Sequence, residues 1–128
     1  MLNMKMNRYW IENIEYSLDP YFLKTNEKIN LSPKIGRQIE DIDSNRALVK
    51  IVFELKKEAD NPFGINIVIC GEFECPNWRD SSDGIYFMNK TAIQTLFPYL
   101  RQAVSTITGL SNITQYCLPI INVNEIFD

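Results

Sequence analysis

Between Arg46 and Lys56 the side chains alternate without a break: Ala47, Val49, Ile51, Phe53 and Leu55 fall on one side of an extended chain, and Lys50, Glu54 and Lys56 on the other. A side-chain period of two belongs to a β-strand, and alternation of this kind marks a strand with one face buried and one face wet. Phe63 to Cys75 repeats the pattern, with Phe63, Ile65, Ile67, Ile69 and Phe73 on one face and Asn66, Glu72 and Glu74 pointing away. Between them, Ala59-Asp60-Asn61-Pro62 is a hairpin turn, too short to hold a crossover helix, so the two strands are antiparallel.

Two further segments read as strands. In Tyr9 to Leu18, the side chains Trp10, Ile14, Tyr16 and Leu18 share a face, with Glu12 as the exception. In Lys28 to Ile39, Ile29, Leu31, Ile35 and Ile39 alternate with Lys28, Asn30, Lys34 and Gln38, and Pro33, which has no N–H, makes this an edge or bulged strand. After the strands comes a turn-rich loop from Pro76, ending in the wholly apolar Ile85-Tyr86-Phe87-Met88. Asn89 is the expected N-cap of a helix running to about Thr108, with Ile93, Leu96, Phe97, Leu100, Ala103, Val104 and Ile107 at helical spacing and Gly109 at its end. Pro98 either kinks this helix or begins its main part. Residues 113–128 are read as an extended tail, apolar from Cys117 to Ile121. A chain of 128 residues fits one domain, and strands followed by a helix make it α+β: a four-stranded antiparallel sheet, one long helix packed on it and a short C-terminal segment.

Groups that carry catalysis are scarce. The chain has no histidine, which excludes Ser-His and Cys-His arrangements. A Ser-Lys or paired-carboxylate mechanism stays formally open, but Asp41, Asp43, Asp80 and Asp83 fall in turns and most other acids on wet strand faces. Gly64 and Gly71 sit inside a strand rather than in a phosphate loop. Cys70, Cys75 and Cys117 have neither the spacing nor the partners of a zinc site and read as buried, reduced thiols, so no metal and no cofactor is expected. A net charge of −3 with thirteen scattered Lys and Arg offers no basic footprint for nucleic acid. No run approaches the ~18 apolar residues of a membrane span, and no signal peptide is visible, so a cytoplasmic location is expected. What remains is apolar surface: Val52 and Val68 on the nominally wet face, Trp78, Ile85 to Met88, and the tail from Tyr116 to Phe127 exceed what one sheet and one helix can bury. That surplus points to a chain that binds other polypeptides and not to an enzyme.

Two segments are specific. Leu96-Phe97-Pro98-Tyr99-Leu100-Arg101, followed by Val104-Ser105-Thr106-Ile107-Thr108-Gly109, resembles the Leu-Phe-Pro-Tyr-x-Arg helix of the SecB family of export chaperones. Leu118-Pro119-Ile120-Ile121-Asn122-Val123, followed by Glu125-Ile126-Phe127, resembles that family's apolar tail, and the order of strands, loop, helix and tail is similar over nearly the whole chain. The resemblance implies an ATP-independent holdase that binds unfolded polypeptides in apolar grooves and assembles as a dimer or a dimer of dimers. It implies a client groove formed by Ile29, Leu31, Ile85, Phe87, Leu118, Ile120, Val123 and Ile126. It implies structural or assembly roles for Phe97, Pro98, Tyr99, Arg101 and Val104, with Tyr99 and Val104 widening the apolar arc of the helix. SecB proteins run on past the tail into a further helix and a SecA-binding end, whereas this sequence stops at Asp128, and Ile65 to Cys70 holds none of the acids presented to SecA. The pattern fits better with SecB-like relatives outside the export pathway, some of which serve antitoxins; the branch stays open, and SecA and an antitoxin are the two protein partners at issue. An adaptor for one folded partner, and a small-ligand binder using the crossover loop, are the other classes weighed.

Overall fold

The computed structural model describes residues 4–18, 33–57 and 63–109. Four strands, β1 (Lys5–Leu18), β2 (Lys34–Asp41), β3 (Arg46–Leu55) and β4 (Phe63–Glu74), form one antiparallel sheet in the order β1-β4-β3-β2. The clearest alternation thus occupies the centre. Ala47, Val49, Ile51 and Phe53 of β3 and Ile67 and Ile69 of β4 are wholly buried on one face, and Ile51 lies opposite Ile69 across the ladder. β2 starts directly after Pro33 and is an edge strand, where a missing N–H leaves no ladder bond unmade.

β1 departs from the expected reading. It carries register shifts between Met6 and Arg8 and between Ile11 and Asn13, so Asn7 and Glu12 are extra residues with no partner in the ladder. Each bulge reverses the alternation. As a result Met6, Tyr9, Ile11, Ile14, Tyr16 and Leu18 lie on the core side, the first five opposite Phe73, Gly71, Ile69, Ile67 and Ile65. Trp10, expected beside Ile14, instead faces outward opposite Cys70.

The helical part begins earlier than Asn89. Asn77 takes the left-handed conformation (φ 50°) tolerated by its short polar side chain, and a 3-10 turn follows over Trp78–Asp80. Ser81 then caps a helix by accepting from the Gly84 N–H at 3.0 Å. The helix runs as α1 (Ser82–Tyr86), a π turn (Phe87–Thr91) and α2 (Ala92–Thr108), passing through Pro98 without a break. Pro98 is exposed, so the Gln94 carbonyl that it leaves without an amide lies on the solvent side. A Cβ on Gly84 would collide with the Trp78 carbonyl, which explains a glycine one turn into a helix. Gly109 closes the helix with a right-handed backbone, its N–H donating to Ser105 at 3.0 Å, so it is not used here for a positive φ.

The π turn answers a mismatch written in the sequence. Gly84, Met88, Ala92, Leu96, Leu100, Val104 and Thr108 are buried and recur every four residues. At 3.6 residues per turn, each such step slips by roughly 40°, so the stripe would wind off the sheet. One wide i→i+5 turn takes up an extra residue, offsets part of this slip, and carries Phe87 and Met88 onto the same core as α2. Phe87, within the turn, packs edge-to-face on Phe73 with ring centroids 5.9 Å apart.

The outer face of the sheet is held by charge. Lys50 of β3 sits between Glu12 of β1 at 3.1 Å and Glu40 of β2 at 3.3 Å, spanning all four strands. The hydrogen bond to Glu12, supported by Glu40, raises the lysine pKa against the cost of burial. Asn7 donates to Glu72 at 2.9 Å and Arg8 lies 3.4 Å from the same carboxylate, which holds Glu72 below its ordinary carboxylate range. The residue placed in each bulge of β1 is therefore the one that ties the strand to its neighbours. Cys70 lies in the row between Trp10 and Lys50, wholly buried, and burial pushes its thiol up to about 11. Cys75 is also buried, with its pKa raised for the same reason.

Two outcomes follow. Ile67→Ala should lower the unfolding free energy by about 2–5 kcal/mol, while Ile14→Ala, at a half-exposed position of β1, should cost well under half of that; urea midpoints measure both. In a Cys117→Ser background, Cys70 and Cys75 should resist a thiol reagent at pH 8 in the native protein and react on unfolding, since both are buried and protonated there; fast native labelling would contradict their placement.

Candidate functional site

With catalytic groups scarce, the site has to be sought in what the fold leaves uncovered. α2 lies chiefly over β4 and β3, meets the edge strand β1 less and touches β2 least. On β1 it reaches the core side through Tyr99, which stacks on Tyr9 at 4.1 Å between centroids and 24° between planes. Tyr9, Ile11 and Ile14 nevertheless remain about two-fifths exposed, at 43, 39 and 43%. They form an apolar strip on the core side of an edge strand, spanning roughly 13 Å by strand rise.

A second display lies on α1. Ile85 is 45% exposed and Tyr86 53%, while Gly84, Phe87 and Met88 on either side are buried. Their presentation is built from below. Ser81 caps the helix, Asn89 donates from its side chain to the Ile85 carbonyl at 2.8 Å, and the guanidinium of Arg37 on β2 donates to the Asn89 carbonyl. The loop ahead of α1 is anchored to the β2–β3 turn. Arg79 makes two bonds to Asp41 at 2.8 and 3.0 Å while stacking over Trp78 at 4.4 Å, and Asn45 accepts from the amides of Cys75 (2.7 Å) and Asn77 (3.0 Å). An extended arginine and an asparagine thus fix the start of the helix that carries the exposed pair.

The residues expected in a groove divide accordingly. Ile85 is exposed as expected. Phe87 is not, because it turns inward against Phe73 and belongs to the core: a residue two along from an exposed one lies on the far side of a helix, whereas an extended crossover would have left both on one face. Ile29, Leu31, Leu118, Ile120, Val123 and Ile126 lie outside the described residues. Of the structural set, Phe97 is buried, and Val104 is wholly buried, so it closes this core instead of widening the helix's outer arc. Tyr99 is half-buried on Tyr9, Pro98 is exposed, and Arg101 is half-buried and engaged with its surroundings. Sequence reasoning missed Tyr9 and Ile11, and counted Tyr86 in the apolar surplus without placing it in the groove. Ile11 and Tyr9 were hidden by the bulges, and their trace was Glu12, the polar residue that broke the alternation.

Catalytic or metal chemistry gains nothing from the geometry. Among the described residues there is no cluster of three His, Cys, Asp or Glu that could hold a metal ion, and no helix long and apolar enough to cross a membrane. Asp43, paired with Arg46 at 2.9 Å, accepts from the Asn45 amide, and these contacts lower its pKa; it is a turn former. An open hollow of about 480 Å³ lies at the opposite end of the sheet from the loop that leads into α1, edged by Glu15, Ser17, Glu54, Lys56 and Lys57. A rim of mixed, exposed charges does not select a small apolar ligand.

No family model matches the chain. The uncharacterized protein MJ0357 of Methanocaldococcus jannaschii is 32% identical over 126 residues, covering 94% of this chain and 79% of that protein. Among solved structures, the Mycobacterium tuberculosis SecB-like chaperone Rv1957, in complex with a ChAD peptide from the Rv1956 HigA1 antitoxin, superposes with a TM-score of 0.75 at 13% identity, over 92% of this chain and 90% of that one. A Streptococcus agalactiae protein of unknown function superposes with a TM-score of 0.53 at 11% identity, over 94% and 99%. The sheet order, the long helix and the close superposition make the fold SecB-like. With the identity and coverage of the archaeal relative, the chain belongs to the same family as the uncharacterized protein MJ0357 of Methanocaldococcus jannaschii.

Proposed function

We propose that the protein is an ATP-independent holdase that captures non-native polypeptide on apolar surface beside its helix. The observation that carries this reading is the adjacent exposure of Ile85 and Tyr86 on a rigidly anchored helical turn. An unfolded client offers side chains that folding would hide, so contacts with such a display give affinity without a sequence code. Each aliphatic group fully buried contributes ~1.5–3 kcal/mol, and ordering the client offsets much of it, so capture is reversible and needs no nucleotide. Ile29, Leu31, Leu118, Ile120, Val123 and Ile126 extend the groove in this proposal, and Phe87 leaves it. Copies of the chain assemble as a dimer or dimer of dimers through the Tyr9-Ile11-Ile14 strip and Tyr99, because an edge strand with apolar side chains is the surface a second copy covers most economically.

A second reading has its own support, in the structural neighbour that holds an antitoxin peptide. Under it the chain serves one dedicated partner, such as an antitoxin, with no part in export; under the first, export clients and SecA are the partners. Both operate in the cytoplasm.

Light scattering separates them. The purified protein, without ATP, should suppress aggregation of an unrelated unfolded protein at near-stoichiometric ratio, and Ile85→Asp and Ile126→Asp should each weaken suppression several-fold while circular dichroism stays native. Full suppression by both folded variants would remove the groove assignment. Failure on unrelated clients, with tight binding of one peptide, would select the dedicated reading.

A further inference from the structure

We infer that Arg37 is a positioning residue for polypeptide capture, acting through Asn89 on the turn that displays Ile85; this rests on the reading of Ile85 as a client contact. Arg37 lies opposite Ile51 in the β2–β3 ladder, on the side of the sheet that faces the helix, where every other β3 and β4 neighbour is apolar. A guanidinium at such a place has to earn its desolvation by bonding something fixed. It donates to the Asn89 carbonyl in the middle of the π turn. The Asn89 side chain in turn donates to the Ile85 carbonyl at 2.8 Å, one turn back along the helix.

These bonds form a relay from the sheet edge to the exposed pair. A π turn widens the helix and weakens the alignment of its own backbone bonds, which makes it the softest place in an otherwise continuous helix. The relay joins that place to β2 at one end and to α1 at the other. A core residue would have stabilised the same contact by packing; the arginine instead reaches past the apolar layer to a carbonyl, fixing direction as well as distance. Ile85 and Tyr86 are consequently held outward in the absence of client, and the ordering that capture would otherwise require is already present.

Hydrogen exchange together with client binding tests this on the full chain. Arg37→Met keeps the apolar stem of the side chain and removes the donor, and Asn89→Ala removes the second link while leaving the Asn89 carbonyl position in place. Amides of residues 82–91 should exchange about tenfold faster in both variants, as expected for loss of a charge-assisted bond or its neighbour, while β3 and β4 amides keep their protection. Arg37→Lys should restore part of the protection. Aggregation suppression should fall several-fold in the two disrupting variants. Unchanged exchange at 82–91, or an equal rise throughout β3 and β4, would overturn the relay. Faster exchange with undiminished capture would overturn its role in positioning Ile85. A wild-type protein that captures no client would overturn the holdase reading instead, and the exchange comparison would still decide whether the relay exists.

Discussion

An α-helix with its side chains is about 10 Å across, and neighbouring strands lie about 4.8 Å apart, so one helix covers about two strands of a sheet. The described core obeys that width. β3 and β4 are sealed beneath α2, with Ile51, Phe53, Ile67, Ile69, Leu96 and Leu100 wholly buried, while Ile35 and Ile39 of β2 are half-covered and Tyr9, Ile11 and Ile14 of β1 are covered less still. The described sheet has four strands, but the helix seals only the middle pair. Apolar side chains on the two flanks are a geometric remainder of this arrangement. The bulges in β1 aggravate the remainder by turning two additional large groups, Tyr9 and Ile11, onto the core side, where the helix reaches Tyr9 through Tyr99 and leaves both partly exposed.

The central strands were legible because a period of two is a direct imprint of burial, and β3 follows it residue by residue. β2 as an edge was legible from Pro33. The SecB-like helix and tail pointed to the fold that the superposition supports. Three features resisted for physical reasons. A bulge needs only one extra residue and leaves no fixed spelling, so Glu12 looked like an exception instead of a hinge in the alternation. The helix start was placed at Asn89, a competent cap by residue type; Ser81 caps the helix instead, where Gly84 approaches Trp78 closely, a tertiary contact. Phe87 was assigned to the groove because an apolar tetrapeptide looks the same in an extended segment and in a helix, and only the helix sends Ile85 outward and Phe87 inward.

Polar residues in this protein act as placement devices. Asn7 and Glu12 would be ladder defects on their own account, yet they bind Glu72 and Lys50 and so make each bulge a fixed bend. Arg79 and Asn45 tie the loop after β4 to the β2–β3 turn, and Arg37 ties β2 to the π turn. Burial and pairing drive Glu72 further into its charged form, Lys50 likewise, and Cys70 toward its neutral thiol. An active site pulls the pKa values of its groups toward the working pH, whereas these move away from it. That direction of tuning suits groups that hold the fold in place.

Exposed apolar surface invites indiscriminate self-association, and β1 is where that hazard is sharpest, since it pairs an exposed apolar strip with a strand edge. Natural edge strands are blunted by bulges and charge. β1 has both: two bulges that prevent a long flat pairing with a foreign strand, and Lys5, Arg8, Glu12 and Glu15 along its outer side. A partner that simply added a strand in regular register would meet a bend at Asn7 and another at Glu12. A second copy of the same strand brings matching bends, and side-chain contact through Tyr9, Ile11 and Ile14 does not require a regular ladder at all. The bulges therefore admit a shape-matched surface and disfavour generic strand addition; in the proposed holdase, an irregular, unfolded chain is left the helix-borne pair at Ile85 and Tyr86.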